Sequence, residues 1–288
     1  MNVNVIKPQG FCLGVSRALR ILDEALNDSK YQKPIYLLGR IIHNDIVVEG
    51  LKNKGVIVLD DKNKTKLMEL KEIKSGSVVF SAHGVPPIFY EIARQKNLDI
   101  IDTTCKNVLK VQAEIKKHLE LGYEIIYIGT KGHPEAEGIL GISYNIHLIS
   151  TLNDLESLNI KDDKIYATNQ TTLSIYDILD IKNALESKYK NLIYDDKICG
   201  ATTIRQHAMA NQPKADLCIV VGDKHSSNTN KLVKVSEEIS HIKTILISSA
   251  KELDSKMLEG IRTVNVSSGA STPKEVTDDV ISYLRLFE

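Results

Sequence analysis

Three apolar stretches decide the fold, and they are Asn2-Val-Asn-Val-Ile6, Leu98-Asp-Ile-Ile-Asp102 and Asn191-Leu-Ile-Tyr-Asp195. Each stretch precedes a cysteine, and these cysteines are Cys12, Cys105 and Cys199. They are separated by 93 and 94 residues, close to one third of the 288 residues in the chain. This spacing predicts an internal repeat of three units, each of which begins with a strand, a cysteine and then a helix.

The repeat extends beyond the cysteines into two further strands of every unit. One strand in each unit ends in glycine, and these strands are predicted at residues 34–39, 124–129 and 216–222. A later strand in each unit ends in polar residues, at 77–83, 164–172 and 263–271. A further strand and short helices separate them, so strands and helices alternate throughout. That alternation is typical of a parallel sheet covered by helices on both faces.

The predicted fold is therefore α/β, with three pseudo-threefold-related lobes that have small, mainly parallel sheets around a common centre. The predicted lobes are 1–104 with Cys12, His43 and His83; 105–198 with Cys105, His133, Glu135 and Thr171; and 199–288 with Cys199, Ser226, Asn228 and Ser271. The alternative is three independent domains in series, but no Gly/Ser/Pro-rich linker separates the units.

Neutral hydrogen-bonding side chains follow the predicted strands where ligands of parallel sheets usually bind. These side chains are His43, His83, Ser226, Asn228 and Ser271. Together with the free N–H groups of helix N-termini they favour a phosphate or diphosphate. Taken singly, Ser and Asn at such positions are also ordinary helix caps.

The second unit adds a carboxyl group to this set. Glu135 lies in His133-Pro-Glu135, and the hydroxyls of Thr171 and Thr172 follow the next central strand of that unit. A dry or anionic setting favours the acid form of a carboxyl group. Glu135 and Thr171 are therefore predicted to form a short proton path to a substrate oxygen.

Three equivalent thiolates match an iron–sulfur cubane whose fourth iron has no protein ligand and stays open to substrate. Zinc held by three dispersed ligands is the inorganic alternative, although structural zinc sites generally use closely paired ligands, which are absent from this sequence. Cys218 lies outside the period, inside the apolar run Leu217-Cys-Ile-Val-Val221, and is expected to be a buried core residue.

The composition excludes several broad classes of function. The chain has 37 Lys plus Arg and 37 Asp plus Glu, so its overall charge favours neither nucleic acid nor an anionic membrane. No apolar run is long enough to span a bilayer, and the first residues lack the pattern of a signal peptide. We expect a cytoplasmic protein.

The motifs, in their order along the chain, resemble those of the 4-hydroxy-3-methylbut-2-enyl diphosphate reductases, which finish the non-mevalonate isoprenoid pathway. The matching segments are 10–18, 42–44, 81–86, 102–105, 132–138, 169–174, 198–206, 226–228 and 269–271, and they span nearly the whole chain. This chain departs from the family pattern beside two cysteines, with Lys106-Asn107 after the second and Gly200 after the third.

The resemblance implies a [4Fe-4S] cluster on Cys12, Cys105 and Cys199, with the substrate on the open iron. It implies that Glu135, His133 and Thr171 manage the leaving hydroxyl group and its protons. It also implies a ferredoxin- or flavodoxin-type electron donor and the products isopentenyl and dimethylallyl diphosphate. The residues that it implies for diphosphate binding are His43, His83, Ser226, Ser227, Asn228 and Ser271.

Two alternative functions remain open at this point. A quinolinate-synthase-like dehydratase also resembles a threefold α/β protein with three cysteines on a cluster, but it performs no net reduction. The second alternative is a metal-stabilised scaffold that binds phosphate without catalysis. Consumption of a reductant that depends on substrate separates the reductase from both.

Overall fold

The computed structural model describes residues 1–158, 160 and 164–287. The predicted second and third lobes therefore include five residues, 159, 161–163 and 288, that lie outside the described part. The strands β1 to β12 are Asn2–Val5, Ile35–Leu38, Ile57–Leu59, Ser77–Phe80, Asp99–Asp102, Glu124–Ile128, Ile146–Ile149, Ile165–Asn169, Ile193–Asp195, Leu217–Val221, Thr244–Ile247 and Thr263–Ser268. The helices α1 to α11 are Leu13–Asn27, Asp45–Asn53, Lys66–Glu72, Pro87–Gln95, Lys106–Glu120, Pro134–Leu140, Leu152–Ser157, Ile175–Lys188, Gly200–Ala210, Ser227–Glu238 and Lys274–Arg285.

The strands form three four-stranded sheets in which every described pairing is parallel. Their strand orders are β3-β2-β4-β5, β7-β6-β8-β9 and β11-β10-β12-β1. The order is the same in all three sheets, with the strand before each cysteine at one edge. The predicted α/β fold with three small parallel sheets is confirmed.

Strand β1 shows a feature that the linear repeat does not convey. It pairs with β12, from Asn2 beside Thr263 to Val5 beside Val266, and so completes the sheet formed by the last third of the chain. The equivalent strands β5 and β9 complete the sheets of the first and second thirds. The lobe boundaries 1–104, 105–198 and 199–288 stay a prediction. That prediction assigns β1 to the first lobe, whereas β1 pairs with β12 of the third.

The third unit also differs from the other two between its last two strands. Two short 3₁₀ segments, Ala250–Glu252 and Ser255–Leu258, stand where the first two units have α-helices. The Asp254 side chain accepts a hydrogen bond from the Lys256 N–H and caps the second segment. Leu253 and Asp254 have extended backbone angles, so the two segments do not form one continuous helix.

Side chains alternate between two cores in the sheets of the second and third units. In β10, Leu217, Ile219 and Val221 enter one apolar cluster, while Cys218 and Val220 enter the cluster on the opposite face. In β6, Ile126 and Ile128 face one cluster, and Ile125 and Tyr127 face the other. Burial on both faces explains why these strands read as continuous apolar runs.

The chain forms two compact units. The first comprises Met1–Ser16, Ile42–Val47 and Gly200–Glu288, and contains the sheet with β1. The second comprises Arg17–Ile41 and Val48–Cys199, and contains the other two sheets. None of the helices described here is long and apolar enough to cross a membrane.

Candidate active site

The two central strands of each sheet place the predicted site residues. Because the chain leaves these strands toward opposite edges of the sheet, each pair forms a topological switch point, where ligands of open α/β sheets bind. The six residues that follow them are His43 after β2, His83 after β4, His133 after β6, Thr171 after β8, Ser226 after β10 and Ser271 after β12. Every sheet therefore contributes two predicted site residues from equivalent positions.

The three repeat cysteines share one local geometry. The backbone N–H of each donates to a carbonyl in the loop after the second central strand, from Cys12 to Ala270, from Cys105 to Ala82 and from Cys199 to Thr171, each at 3.0 Å. Each cysteine directly precedes a helix and is half-buried. A helix N-terminus stabilises negative charge, so all three positions suit a thiolate ligand.

At Cys12 the helix N-terminus forms a hydrogen bond with the sulfur atom. The backbone N–H of Val15 donates to Cys12 Sγ over 3.4 Å, in the first turn of α1. The thiol of Cys218 is different, because burial raises its pKa to about 11. A protonated, fully buried thiol is a poor metal ligand, and the expectation that Cys218 is a core residue is confirmed.

The residues that follow two of these cysteines are exposed. Lys106 and Asn107 are exposed in the first turn of α5. A Cβ added at Gly200 meets no atom within 4 Å. These departures from the resembling family therefore disturb no packing in the described structure.

The first compact unit gathers neutral donors around the start of α10. Ser226 caps this helix, and its Oγ accepts from the Thr229 N–H. The Ser271 hydroxyl donates to the His43 carbonyl over 3.1 Å and lies 3.4 Å from Ser226 Oγ. Ser227 is the first residue of the helix, and a helix N-terminus carries a partial positive charge.

Asn228 is the most informative residue of this group. Its side chain is buried, and neither its amide nitrogen nor its amide oxygen has a hydrogen-bond partner among the described residues. A buried amide without partners is costly unless a ligand or water satisfies it. With the caps and N–H groups of α10, this amide forms a site suited to an anion.

The second compact unit contains a group of predicted site residues that includes a carboxyl group. His133 caps α6, with its Nδ1 accepting from the Glu135 N–H over 3.2 Å. Glu135 Oε1 accepts from the Thr171 N–H at 2.8 Å, and Oε2 lies 2.8 Å from the Thr171 hydroxyl. The His83 ring meets the His133 ring edge-on, with 5.5 Å between their centroids. The structure thus brings His83, His133, Glu135 and Thr171 into one connected group.

Burial controls the protonation of Glu135. The side chain is 1% exposed, and desolvation raises the carboxyl pKa to about 7, against smaller lowering effects from the hydrogen bonds of Thr171 and Tyr127. The direction is the one expected from a dry site. A carboxyl group with this pKa holds a proton near neutral pH and can also release it.

Tyr127 contacts the candidate acid and was not predicted from the sequence. Its hydroxyl donates to Glu135 Oε1 over 3.2 Å, and its side chain is fully buried. The available signal was a tyrosine within the apolar run Ile125-Ile-Tyr-Ile128, since a buried tyrosine hydroxyl usually has a polar partner. The identity of that partner depends on how the strand and the following helix pack.

The raised pKa of Glu135 predicts a specific pH dependence of folding stability. The folded state holds this proton more tightly than the unfolded chain does. The contribution of Glu135 to folding stability is therefore most favourable below about pH 4.5, the pKa of this group in the unfolded chain. It is lost as the pH rises through about 7, the pKa in the folded state. Glu135→Gln mimics the neutral acid at every pH. From pH 5 to pH 8 the variant should gain about 2 kcal/mol of stability relative to the unsubstituted chain. Urea unfolding at both pH values measures this, and a constant difference would contradict the assignment.

Comparisons with known proteins cover essentially the whole chain. A family model described as LytB protein matches residues 3–285. The 4-hydroxy-3-methylbut-2-enyl diphosphate reductase of Bacillus subtilis (strain 168) is 43% identical over 290 residues, which cover 100% of this chain and 92% of the relative. The enzyme of the same name from Geobacillus sp. (strain WCH70) is 44% identical over 290 residues, with 100% and 91% covered.

Solved structures agree with these relatives. The E-1-hydroxy-2-methyl-but-2-enyl-4-diphosphate reductase of Plasmodium falciparum is 35% identical and superposes with a TM-score of 0.90, over 98% of this chain and 87% of that one. A second reductase structure, described as the terminal enzyme of the non-mevalonate pathway, is 32% identical with a TM-score of 0.69 over 99% and 100%. The family model, the full-length relatives and the repeated sheets lead to one conclusion, that this chain belongs to the LytB family.

Proposed function

We propose that this protein is a 4-hydroxy-3-methylbut-2-enyl diphosphate reductase. It removes the 4-hydroxyl group of its substrate and gives isopentenyl and dimethylallyl diphosphate. The observation that carries the proposal is the buried Glu135 carboxyl, which is hydrogen-bonded to Thr171 and has a pKa near 7. Departure of a hydroxyl group as water requires an acid of this kind.

The LytB family uses an iron–sulfur cluster, and the cysteines described above suit one. We propose a [4Fe-4S] cluster held by Cys12, Cys105 and Cys199, with the fourth iron open. When bound, this cluster supplies the electrons and a Lewis-acid iron that polarises the C–O bond. The support is the shared geometry of the three cysteines, each at a helix start with its N–H held by a loop carbonyl.

The diphosphate is proposed to bind the neutral donors at the strand ends. The α10 N-terminus, with Ser226, Ser227 and Asn228, offers hydroxyl, amide and backbone donors, and Ser271 adds a hydroxyl group. His43 and His83 complete the proposed set. Donors without fixed charge stabilise an anion by hydrogen bonding and add no cation that would lower the pKa of a carboxyl group in the same site.

The proposed proton path runs from Glu135 through the Thr171 hydroxyl to the leaving oxygen. His133 holds the first turn of α6 and with it the backbone of Glu135. The balance of the reaction is one substrate, two electrons and two protons converted to one product and one water. Glu135 supplies a proton to the departing oxygen, and the burial of this group keeps bulk water away from the acid.

The electron source is part of the same proposal. A one-electron carrier of the ferredoxin or flavodoxin type would deliver the two electrons in single steps. We place the reaction in the cytoplasm, because thiolates spaced for a cluster need a reducing compartment.

Removing one cysteine at a time tests the proposed ligand set. Cys12→Ser, Cys105→Ser and Cys199→Ser should each lose most bound iron and sulfide together with reductase activity. Cys218→Ser is the matched control and should keep both, because its thiol is buried in the core. Anaerobic iron and sulfide analysis, with turnover on reduced viologen, measures the outcome. Full cluster content and activity in Cys105→Ser would overturn the assignment.

Replacing the proposed acid tests the reaction itself. Glu135→Gln keeps the shape and acceptor oxygen of the side chain but cannot release a proton. Turnover should fall roughly 10²- to 10⁴-fold, the usual contribution of a general acid, while diphosphate binding is retained. The assay follows substrate-dependent oxidation of viologen and product formation by mass spectrometry. No viologen oxidation by the unsubstituted protein would reject the reductase in favour of a dehydratase or a binding scaffold.

A further inference from the structure

Tyr127 reaches the proposed acid from inside the protein. It lies on the β6 face that packs against Val111 and Ile115 of α5 and Ala136 and Ile139 of α6, and it is 0% exposed. A Cβ at Gly129 would come within 2.8 Å of the Tyr127 ring, so glycine at that position leaves space for the ring. The Tyr127 side chain therefore has no contact with solvent.

The two oxygens of Glu135 are unequal. Oε1 accepts two hydrogen bonds, from the Tyr127 hydroxyl at 3.2 Å and from the Thr171 N–H at 2.8 Å. Oε2 has the Thr171 hydroxyl at 2.8 Å. A carboxyl oxygen that already accepts two donors has no lone pair left for a proton. In the neutral acid the proton must therefore lie on Oε2.

The position of this proton sets the direction of its transfer. A proton on Oε2 is donated to Thr171 Oγ1, which turns the threonine's own hydroxyl hydrogen away from Glu135. The O–H bond of Glu135 can then break as Thr171 passes its hydrogen onward, with one proton lost by the carboxyl group and one gained by the acceptor. The two hydrogen bonds to Oε1 therefore fix the direction of proton transfer, from Oε2 of Glu135 to Oγ1 of Thr171.

We propose that Tyr127 is a positioning residue that keeps the transferable proton of Glu135 on Oε2 and so directs it through Thr171. The inference rests on the proposed function, because it assigns a role within that reaction. Tyr127 itself remains a donor throughout, since desolvation, with the nearby Glu135 carboxyl, raises its pKa well above the usual value.

The other polar groups around Glu135 do not take over this role. His133 meets the Glu135 backbone rather than its carboxyl group, and His83 contacts the His133 ring. The α5 residues in this cluster, Val111 and Ile115, are apolar. Tyr127 and Thr171 are the side chains with described hydrogen bonds to this carboxyl group.

Tyr127→Phe tests the proposal, with Tyr166→Phe as the matched control. Tyr166 lies in the same core and is also buried, but its hydroxyl donates to Asp195. We expect Tyr127→Phe to lower kcat about tenfold with KM unchanged, the scale of one lost hydrogen bond, and Tyr166→Phe to leave kcat within about twofold. In a Glu135→Gln background, Tyr127→Phe should have no further effect on kcat.

An infrared measurement reports on the carboxyl group without any turnover. The C=O band of protonated Glu135 is identified by its loss in Glu135→Gln. Because Oε1 is the carbonyl oxygen in our proposal, loss of the Tyr127 donor should shift this band to higher wavenumber and keep it to higher pH. Tyr166→Phe should change neither property. Fluorotyrosine at position 127 keeps the ring and is a stronger donor. It should shift the band to lower wavenumber and make it disappear at lower pH, and it replaces Tyr127→Phe as the test if that variant folds poorly.

The outcomes separate this inference from the proposed function. An unshifted band in both position-127 variants, or an equal loss of kcat in Tyr127→Phe and Tyr166→Phe, would overturn the role of Tyr127. Full turnover in Glu135→Gln would instead remove the acid from the proposed function, whatever the position of the band.

Discussion

The structure depends on one backbone hydrogen bond that occurs three times. In each repeat the N–H of the cysteine donates to a carbonyl two residues beyond the second central strand, at 3.0 Å in every case. This bond ties the edge strand, the cysteine and the following helix to the loop that carries a predicted site residue. Since both partners are backbone groups, the geometry can recur although the surrounding side chains differ. Three equivalent thiols at helix starts are the consequence.

The chemistry of each group of predicted site residues depends on how its charge is distributed. The donors around α10 are hydroxyl, amide and N–H groups, which bind an anion without a fixed positive charge. Glu135 lies apart from lysine and arginine side chains in its described contacts, and burial raises its pKa to about 7. A nearby cation would lower that pKa and leave the group ionised. Burial without a neighbouring cation therefore favours the protonated form of Glu135 near neutral pH.

Much of the fold follows from local sequence. The apolar runs and terminal glycines predict nine strands whose centres agree with the structure, because strands buried on both faces need such runs. The positions of the predicted site residues His43 and Ser271 after central strands also follow from the sequence pattern. The pairing of β1 with β12 does not, because contacts between the two ends of a chain leave no local signal. The two 3₁₀ segments do not follow from the repeat either, because the other two units have α-helices at this position.

The contact between Tyr127 and Glu135 could likewise not be predicted from local sequence. Alternation along β6 places Tyr127 beside Ile125 on one face, but the reach of its hydroxyl depends on how α6 packs there. Glu135 was predictable as an acid because its motif follows a strand end. Which oxygen of Glu135 carries the proton was not predictable from the sequence. The answer depends on three residues that the fold brings together from β6, α6 and the loop after β8.

The central claim is a four-iron cluster with three cysteine ligands and one iron that substrate can reach. Mössbauer spectroscopy of the ⁵⁷Fe-loaded, anaerobically purified protein, with and without 4-hydroxy-3-methylbut-2-enyl diphosphate, tests it most directly. The account predicts four irons per chain, with one iron site whose parameters change on addition of substrate while the other three remain similar. Stoichiometric zinc, or four iron sites that ignore the substrate, would contradict it.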